Sequence, residues 1–166
     1  MDLRPPTDSL PLLRMDTQDL DIVVSRTVDA PRRLVWKAFT DPKHVVRWWG
    51  PDGFTNTLKE MEVRPGGAWR FTMHGPDGTD YPNRIRYEEV TEPERLVYLH
   101  DDDEGGAPDQ SFRVVTTFED AGDGKTTVTL RITCRSAEQK AKLAGYGAVE
   151  GGKQTLARLA EYLKTM

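Results

Sequence analysis

Stretches in which apolar and polar residues alternate occupy most of the chain after about residue 20 and predict β-strands. The first is 22–28 (IVVSRTV), which is rich in the β-branched residues that favour strands. Six further stretches follow, each bounded by Gly, Pro or Asp-Gly turns, at 54–63, 68–74, 81–90, 95–100, 111–119 and 125–134. Consecutive strands divided by tight turns predict an antiparallel meander.

Two short helices are predicted between the first and second strands. Pro31 suits the first position of a helix, where its missing N–H costs nothing. The apolar residues that follow at helical spacing are Leu34, Val35, Ala38 and Phe39. Asp41-Pro42 repeats the start signal and Gly50-Pro51 cannot continue a helix, so the second helix should span 42–48.

A long final helix is predicted from Ser136, which forms a capping-box pattern with Gln139. Its apolar stripe consists of Val149, Leu156, Leu159, Ala160 and Leu163. The glycines in and before its first turns are Gly145, Gly147, Gly151 and Gly152. Because an interior glycine costs ~1 kcal/mol relative to alanine, we expect these glycines to leave room for a close neighbour or a cavity.

The alternation also assigns the two faces of the predicted sheet. Trp69, Phe71 and Met73 lie on one side of their strand, and the polar residues between them lie on the other. The apolar face continues through Ile85, Tyr87, Leu96, Tyr98, Phe112, Val114, Leu130 and Ile132. The final helix should lie across this face and cover it.

The adjacent indoles in RWWGPDGF (47–54) are unusual in a polar chain. Trp48 and Trp49 are predicted to lie in the last turn of the second helix, where consecutive residues point about 100° apart. They therefore cannot both face one core, and we expect one to pack beneath the sheet and the other to lie at a pocket mouth. The simpler interpretation is that both only pack the helices against the sheet.

Length and composition indicate one globular domain. The chain has 166 residues, of which 37% are hydrophobic and 30% charged, with both signs mixed along the sequence. A net charge of −4 without a basic stripe argues against a nucleic-acid partner. No apolar run is long enough for a membrane span or a signal peptide, so we expect no membrane insertion and a cytoplasmic location.

The first 18 residues contain Pro5, Pro6 and Pro11 and no periodicity, which predicts a flexible tail before a single domain at 19–166. Met15 is a candidate alternative translation start.

The residue types that carry catalysis or metal binding form no recognisable motif. The three histidines, His44, His74 and His100, lie on separate elements without metal-ligand spacing, and the last two would share a rim only if their strands were neighbours. Cys134 is the single cysteine, which excludes an internal disulfide. We therefore expect no metal, no cofactor and no assignable catalytic residue.

Several polar segments have simpler interpretations. The acidic run Asp101–Glu104 lacks the spacing of a calcium loop and is typical of a solvated loop. The two GPDG segments, 50–53 and 75–78, are predicted to be turns and not phosphate loops. Two pairs that could face a cavity as acid and base are Glu60 with Arg70 and Tyr87 with Arg113.

Four segments in order, VDAPRRLVWKAFTDPKHVVRWWGP, RPGGAWRFTMHGPDG, EEVTEPERLVY and GGKQTLARLAEYL, carry a family resemblance. From about residue 20 to the end, the chain resembles the START-like (SRPBCC) superfamily, and most closely the branch of the ATPase activator of the ninety-kilodalton heat-shock chaperone. The resemblance implies an α+β helix-grip fold. In that fold a curved antiparallel sheet of six or seven strands wraps around the last helix and encloses a hydrophobic cavity.

The resemblance also suggests a large aromatic residue where this chain has Gly152. The cavity should therefore be larger here, or filled by Trp69 or Tyr98.

Three functions remain open. We expect binding of a small hydrophobic or aromatic ligand in the cavity, as a carrier or sensor. An enzyme of cyclase or hydrolase type using the same cavity is one alternative, and a chaperone-associated interaction module is another. An exposed sheet edge would also permit a homodimer. The candidate ligand-binding residues are Trp49, Phe54, Trp69, Phe71, Met73, Tyr87, Tyr98, Phe112, Val149, Gly152 and Leu156.

Overall fold

The computed structural model describes residues 20–101 and 111–166, which form seven strands and four helices. The strands are β1 Asp21–Val28, β2 Thr55–Met61, β3 Ala68–His74, β4 Asp80–Thr91, β5 Arg95–Asp101, β6 Phe112–Gly122 and β7 Lys125–Thr133. The helices are α1 Arg32–Thr40, α2 Pro42–Trp48, α3 Ala137–Gly145 and α4 Ala148–Leu163. The predicted tail, Met15 and all of the predicted acidic loop after Asp101 lie outside the described residues. None of the described helices is both long and apolar enough to cross a membrane.

All seven strands belong to one curved, open antiparallel sheet in the order β1-β7-β6-β5-β4-β3-β2. The strands β2 to β7 form the predicted meander, and β1 pairs with β7. The consecutive strands β1 and β2 therefore lie at opposite edges of the described sheet, and α1 and α2 connect them. With α4 packed against the sheet near β1, this is the predicted helix-grip arrangement.

The inner face of the sheet carries the residues that the alternation assigned to it. Trp69, Phe71, Ile85 and Tyr87 are buried there, as are Leu96 and Tyr98. α1 and α2 cover part of this face with an aromatic cluster in which the ring of Phe39 lies 4.8 Å from Trp48 and 5.0 Å from Phe118. Trp48 is 1% exposed and donates its indole N–H to the carbonyl of Ala38 at 3.1 Å.

The final helix is interrupted, contrary to the prediction of one continuous element. Ser136 accepts a hydrogen bond from the backbone N–H of Gln139 at 3.0 Å, as predicted, but the helix that it caps is α3, which ends at Gly145. Gly147 then adopts the left-handed region with φ 85°, which favours glycine, and α4 begins after it. The break at Gly147 also changes which residues of α4 face the sheet. Val149, predicted to lie on the apolar stripe, is 39% exposed.

Candidate functional site

A cavity of about 300 Å³ lies between the inner face of the sheet and the first turns of α4. Three groups of residues line it. The sheet contributes Met73, Tyr98, His100, Phe112, Val114, Leu130 and Ile132. The end of α2 contributes Trp49, Gly50 and Pro51, and the α3–α4 segment contributes Tyr146, Gly147, Ala148, Gly151, Gly152 and Thr155. Carbon atoms of these side chains form most of the wall, so the site is suited to an apolar molecule.

Two adjacent glycines of α4 have different roles in shaping this cavity. A Cβ atom on Gly151 would meet Cγ of Pro51 at 3.5 Å, an ordinary contact, with no other neighbour within 4 Å among the described residues. A Cβ atom on Gly152 would lie 3.1 Å from Cγ2 of Val24 on β1. Gly151 therefore keeps space open, whereas Gly152 allows α4 to approach β1 closely.

The expectation at Gly152 was a larger cavity, or one filled by Trp69 or Tyr98, and the structure places these two side chains differently. Tyr98 lines the cavity, as does Gly152. Trp69 lies outside it: its ring stacks on Phe71 with 4.3 Å between the ring centres and meets Trp49 edge-to-face at 5.0 Å.

The loop that follows α2 is fastened to α4 by Arg158. Nη1 of Arg158 donates to the carbonyls of Trp49, Gly50 and Pro51 at 3.3, 2.9 and 2.8 Å, and Nη2 donates to the carbonyl of Phe54 at 3.1 Å. Burial lowers the pKa of this guanidinium. Because the loop forms one wall of the cavity and α4 forms another, Arg158 fixes the separation between these walls.

Two polar side chains reach the cavity from β5. The hydroxyl of Tyr98 lies 3.1 Å from Oγ1 of Thr116 in a buried hydrogen bond, and burial raises the pKa of Tyr98 to about 12. The ring of His100 stacks on Phe112 with 4.8 Å between the ring centres. Tyr98 therefore lines the cavity as a neutral side chain at physiological pH.

The candidate ligand-binding residues divide into two sets in the structure. Those that line the cavity are Trp49, Met73, Tyr98, Phe112 and Gly152. Those that lie elsewhere are Phe54, Trp69, Phe71, Tyr87, Val149 and Leu156. Of the second set, Trp69, Phe71, Tyr87 and Leu156 are buried core residues, Phe54 packs against the ring of Tyr81 at 6.0 Å, and Val149 is exposed.

The two proposed acid–base pairs do not face the cavity. Glu60 and Arg70 form an exposed ion pair at 3.3 Å. Arg113 pairs with Glu88 at 2.9 Å and not with Tyr87, because the outward-facing guanidinium and the buried phenol lie on different sides of the sheet.

The histidines are also separated. β4 lies between the strands that carry His74 and His100, so these two side chains do not share a rim. Nδ1 of His44 lies 2.7 Å from the hydroxyl of Tyr162 and joins α2 to α4. Within the described ranges, no three His, Cys, Asp or Glu side chains are grouped as metal ligands.

The candidate ligand-binding residues did not include Arg158, Tyr146 or Gly151, although Gly151 was among the glycines expected to leave room for a neighbour or a cavity. Arg158 lies two residues after the stripe residue Leu156, and its partners are more than 100 positions earlier in the chain, so no local pattern reveals it. The glycines before and within α4 were the available signal for Gly151. The place of Tyr146 depends on the break at Gly147.

Comparison with known proteins agrees with this architecture. Residues 29–164 match the family model described as Activator of Hsp90 ATPase homolog 1-like protein. A solved structure from Arthrobacter aurescens is 26% identical with a TM-score of 0.81, and the match covers 91% of this chain and 90% of that one. A structure from Mycobacterium smegmatis is 27% identical with a TM-score of 0.78, covering 88% and 91% of the two chains.

No curated protein sequence is significantly similar to this chain. The family match spans most of the described domain, and the order of elements is that of the helix-grip fold. The chain therefore belongs to the family of Activator of Hsp90 ATPase homolog 1-like proteins, within the START-like (SRPBCC) superfamily.

Proposed function

We propose that this protein binds a small, largely aromatic molecule in the cavity between the sheet and α4. The observation that carries the proposal is the cavity itself, about 300 Å³ of space walled mainly by apolar groups. Trp49, Tyr98 and Phe112 offer ring faces and edges to a ligand. The family and fold support a module of the ligand-binding or cyclase-like type in general.

The volume limits the size of the ligand. A cavity of about 150 Å³ lined by apolar side chains holds benzene, and ligand pockets start at about 300 Å³. The cavity near Tyr98 therefore suits one or two fused rings.

The test is a binding titration of the protein with 2-naphthol, a two-ring phenol whose fluorescence reports binding. Gly151→Leu would place a side chain in the cavity, because the Cβ position of Gly151 is open except for Pro51. Gly145→Leu is the matched control: it makes the same exchange at the end of α3, where no described atom lies within 4 Å of the new Cβ. Circular dichroism and thermal unfolding verify that both variants fold.

We expect wild-type protein and Gly145→Leu to bind 2-naphthol equally, and Gly151→Leu to bind it at least about tenfold more weakly, which corresponds to ~1.4 kcal/mol. Equal binding by all three proteins would place the probe outside the cavity and contradict the proposal. Native mass spectrometry of freshly purified protein gives an independent test, because a retained small molecule can be released and identified.

An enzyme of cyclase type is the second candidate, and the position of Tyr98 favours it. Its phenol stays protonated well above neutral pH because burial raises its pKa to about 12, so it could polarise a ligand carbonyl. Turnover of a β-keto thioester that is lost in Tyr98→Phe while binding is retained would support this candidate. Tyr87 is not the residue to test, because it lies outside the cavity.

The family description names an activator of a chaperone ATPase, so partner activation is a further candidate. Gly151→Leu separates it from ligand binding, because that variant alters the cavity while leaving the outer face of the sheet unchanged. Stimulation of the chaperone ATPase that is equal for wild type and Gly151→Leu would assign the activity to the surface.

A further inference from the structure

Three polar side chains on the outer face of the sheet form a hydrogen-bonded chain. Oγ1 of Thr57 lies 2.7 Å from Nε2 of His74, and Nδ1 of His74 lies 2.7 Å from Oδ1 of Asp80. The residue directly before His74 on β3 is Met73, which lines the cavity. Because successive strand residues point to opposite faces, the Thr57–His74–Asp80 chain lies on the side of the sheet away from the cavity.

The backbone holds these residues in place. His74 and Asp80 are directly opposite partners on β3 and β4, and the turn between them closes with a hydrogen bond from Gly75 N–H to the carbonyl of Thr79 at 2.8 Å. The carboxylate of Asp77 accepts the N–H of Thr79 at 3.0 Å, which lowers the pKa of Asp77. Asp80 thus enters β4 from a closed turn, beside the imidazole.

The acceptors in this chain determine which ring nitrogen carries the proton. An ionised carboxylate can only accept, so Nδ1 of a neutral His74 donates to Asp80. Nε2 then has a lone pair and accepts the hydroxyl hydrogen of Thr57. A hydroxyl, a base and a carboxylate that orients the base, each within about 2.6–3.2 Å of the next, are the components of an activated nucleophile.

Other exposed hydroxyls provide a comparison. Thr27 and Thr127 are hydrogen-bonded to each other at 2.8 Å, with no imidazole in that pair. Their reactivity should be that of ordinary alcohols.

We propose that Thr57 is a nucleophile that accepts an acyl group from an activated ester at the outer face of the sheet, a site distinct from the cavity. Oγ1 of Thr57 forms a bond to the ester carbonyl carbon while Nε2 of His74 takes the hydroxyl proton. The bond to the leaving alkoxide or phenoxide then breaks, and His74 returns the proton to it. The products are a threonine ester and a free alcohol or phenol.

The acyl group is removed by the same machinery. His74 deprotonates a water molecule that attacks the threonine ester, and the acid is released with Thr57 regenerated. β2 is an edge strand of the described sheet, so every second backbone N–H along it points away from β3 toward the open edge. The N–H groups at this edge are therefore either that of Thr57 or those of the two residues beside it. Such an N–H can donate to the oxyanion that forms during each attack.

The roles of the three residues differ. Thr57 and His74 touch the reacting atoms, whereas Asp80 is a positioning residue that acts through the imidazole. Its replacement by asparagine should shift the ring proton between Nδ1 and Nε2, and the imidazole ¹⁵N spectrum of His74 reports that change directly.

The experiment treats the full chain with p-nitrophenyl acetate and locates the acetyl group by peptide mass spectrometry. The variants are Thr57→Val, His74→Gln and Asp80→Asn, with Thr27→Val as the matched control at a hydroxyl without a base. We expect acetylation at Thr57, no acetylation of that peptide in Thr57→Val, and about a 10²-fold slower reaction in His74→Gln. Asp80→Asn should slow acetylation and alter the ¹⁵N spectrum, and Thr27→Val should behave as wild type.

Two results would overturn the proposal. One is acetylation confined to lysines or to the amino terminus, together with a rate of p-nitrophenol release that is unchanged in Thr57→Val. The other is a Thr57 acetylation rate that is unchanged in His74→Gln, since the imidazole would then play no part. Thermal unfolding confirms that each variant is folded, and binding of 2-naphthol in the cavity should be the same in all of them.

Discussion

Replacing Arg158 by methionine tests whether the guanidinium fastens the loop after α2 to α4. Methionine preserves an unbranched apolar stem and removes the donors that reach the carbonyls of Trp49, Gly50, Pro51 and Phe54. These carbonyls follow the end of α2, where backbone acceptors lack helical partners and a positive charge is favourable.

The magnitude follows from the number of donors. Nη1 of Arg158 has two hydrogens for three carbonyls, so with Nη2 about three N–H groups are engaged and not four independent bonds. Fully buried bonds to a charged group contribute ~1.5–3 kcal/mol each, but this side chain is half-buried and water can replace part of the interaction. We therefore expect Arg158→Met to lower the free energy of unfolding by about 2–3 kcal/mol. Arg158→Lys, with a single ammonium, should lose about half as much.

Urea unfolding, fitted with one slope for all variants, gives this free energy, and the melting temperature should fall by roughly 4–12 °C. Lys153→Met is the control, because it removes the same charge from an exposed position of α4. The affinity for 2-naphthol, measured below the unfolding transition, should also decrease, because the wall formed by Trp49 to Pro51 is no longer held. If Arg158→Met stays within about 0.5 kcal/mol of the control, the four contacts do not stabilise the loop and the reasoning fails.

Two further predictions concern the helix–sheet contact and the cavity phenol. Gly151→Ala should raise the free energy of unfolding by roughly 0.5–1 kcal/mol, because alanine has the higher helix propensity. Gly152→Ala should leave this free energy unchanged or lower it, because the new Cβ would lie 3.1 Å from Val24. Equal effects of the two substitutions in urea titrations would contradict the packing of α4 against β1. Burial raises the pKa of Tyr98 from 10.0 to about 12, so the folded state retains a proton that the unfolded chain loses. The contribution of Tyr98 to stability is therefore complete below pH 10 and should decline between pH 10 and pH 12. Tyr98→Phe should reduce that slope by up to ~1.4 kcal/mol per pH unit in an unfolding series across this window, and an unchanged slope would show that the phenol is not buried in solution.

Local sequence signals were sufficient where a structural element is decided by its own residues. Period-two alternation defined all seven strands to within a few residues, because one face of this sheet is buried and a shift of one position would expose it. Asp41 and Gly50 bracketed α2 correctly for a similar reason: Asp41 accepts the N–H of Lys43 at 2.9 Å, and Gly50 adopts φ 100°, so start and stop are encoded within the segment. The prediction of one continuous final helix was wrong because its two local signals belong to different helices: the cap at Ser136 begins α3, and the apolar stripe lies on α4.

The candidate site was harder to predict because an inward-facing position does not specify what covers it. Phe71 and Met73 lie on the same face of β3, yet Phe71 is 1% exposed in the core while Met73 lines the cavity. The difference depends on which part of α4 lies above each residue, and that is fixed by the glycines of α4 and by their contact with β1. Alternation gives the direction of a side chain, whereas the cavity depends on packing between distant segments.

The adjacent tryptophans show the same limit at a single peptide bond. Trp48 is the last residue of α2 and is buried beside Phe39, whereas Trp49 leaves the helix with ψ 137° and lines the cavity. The prediction that they point to different environments was therefore right, but the helical geometry on which it was based ends between them. Arg158, 109 positions further along the chain, holds the carbonyl of Trp49 at 3.3 Å. The role of Trp49 in the site is thus fixed by a residue that no window around RWWGPDGF contains, and Arg158→Met should alter the environment of Trp49 before that of Trp48.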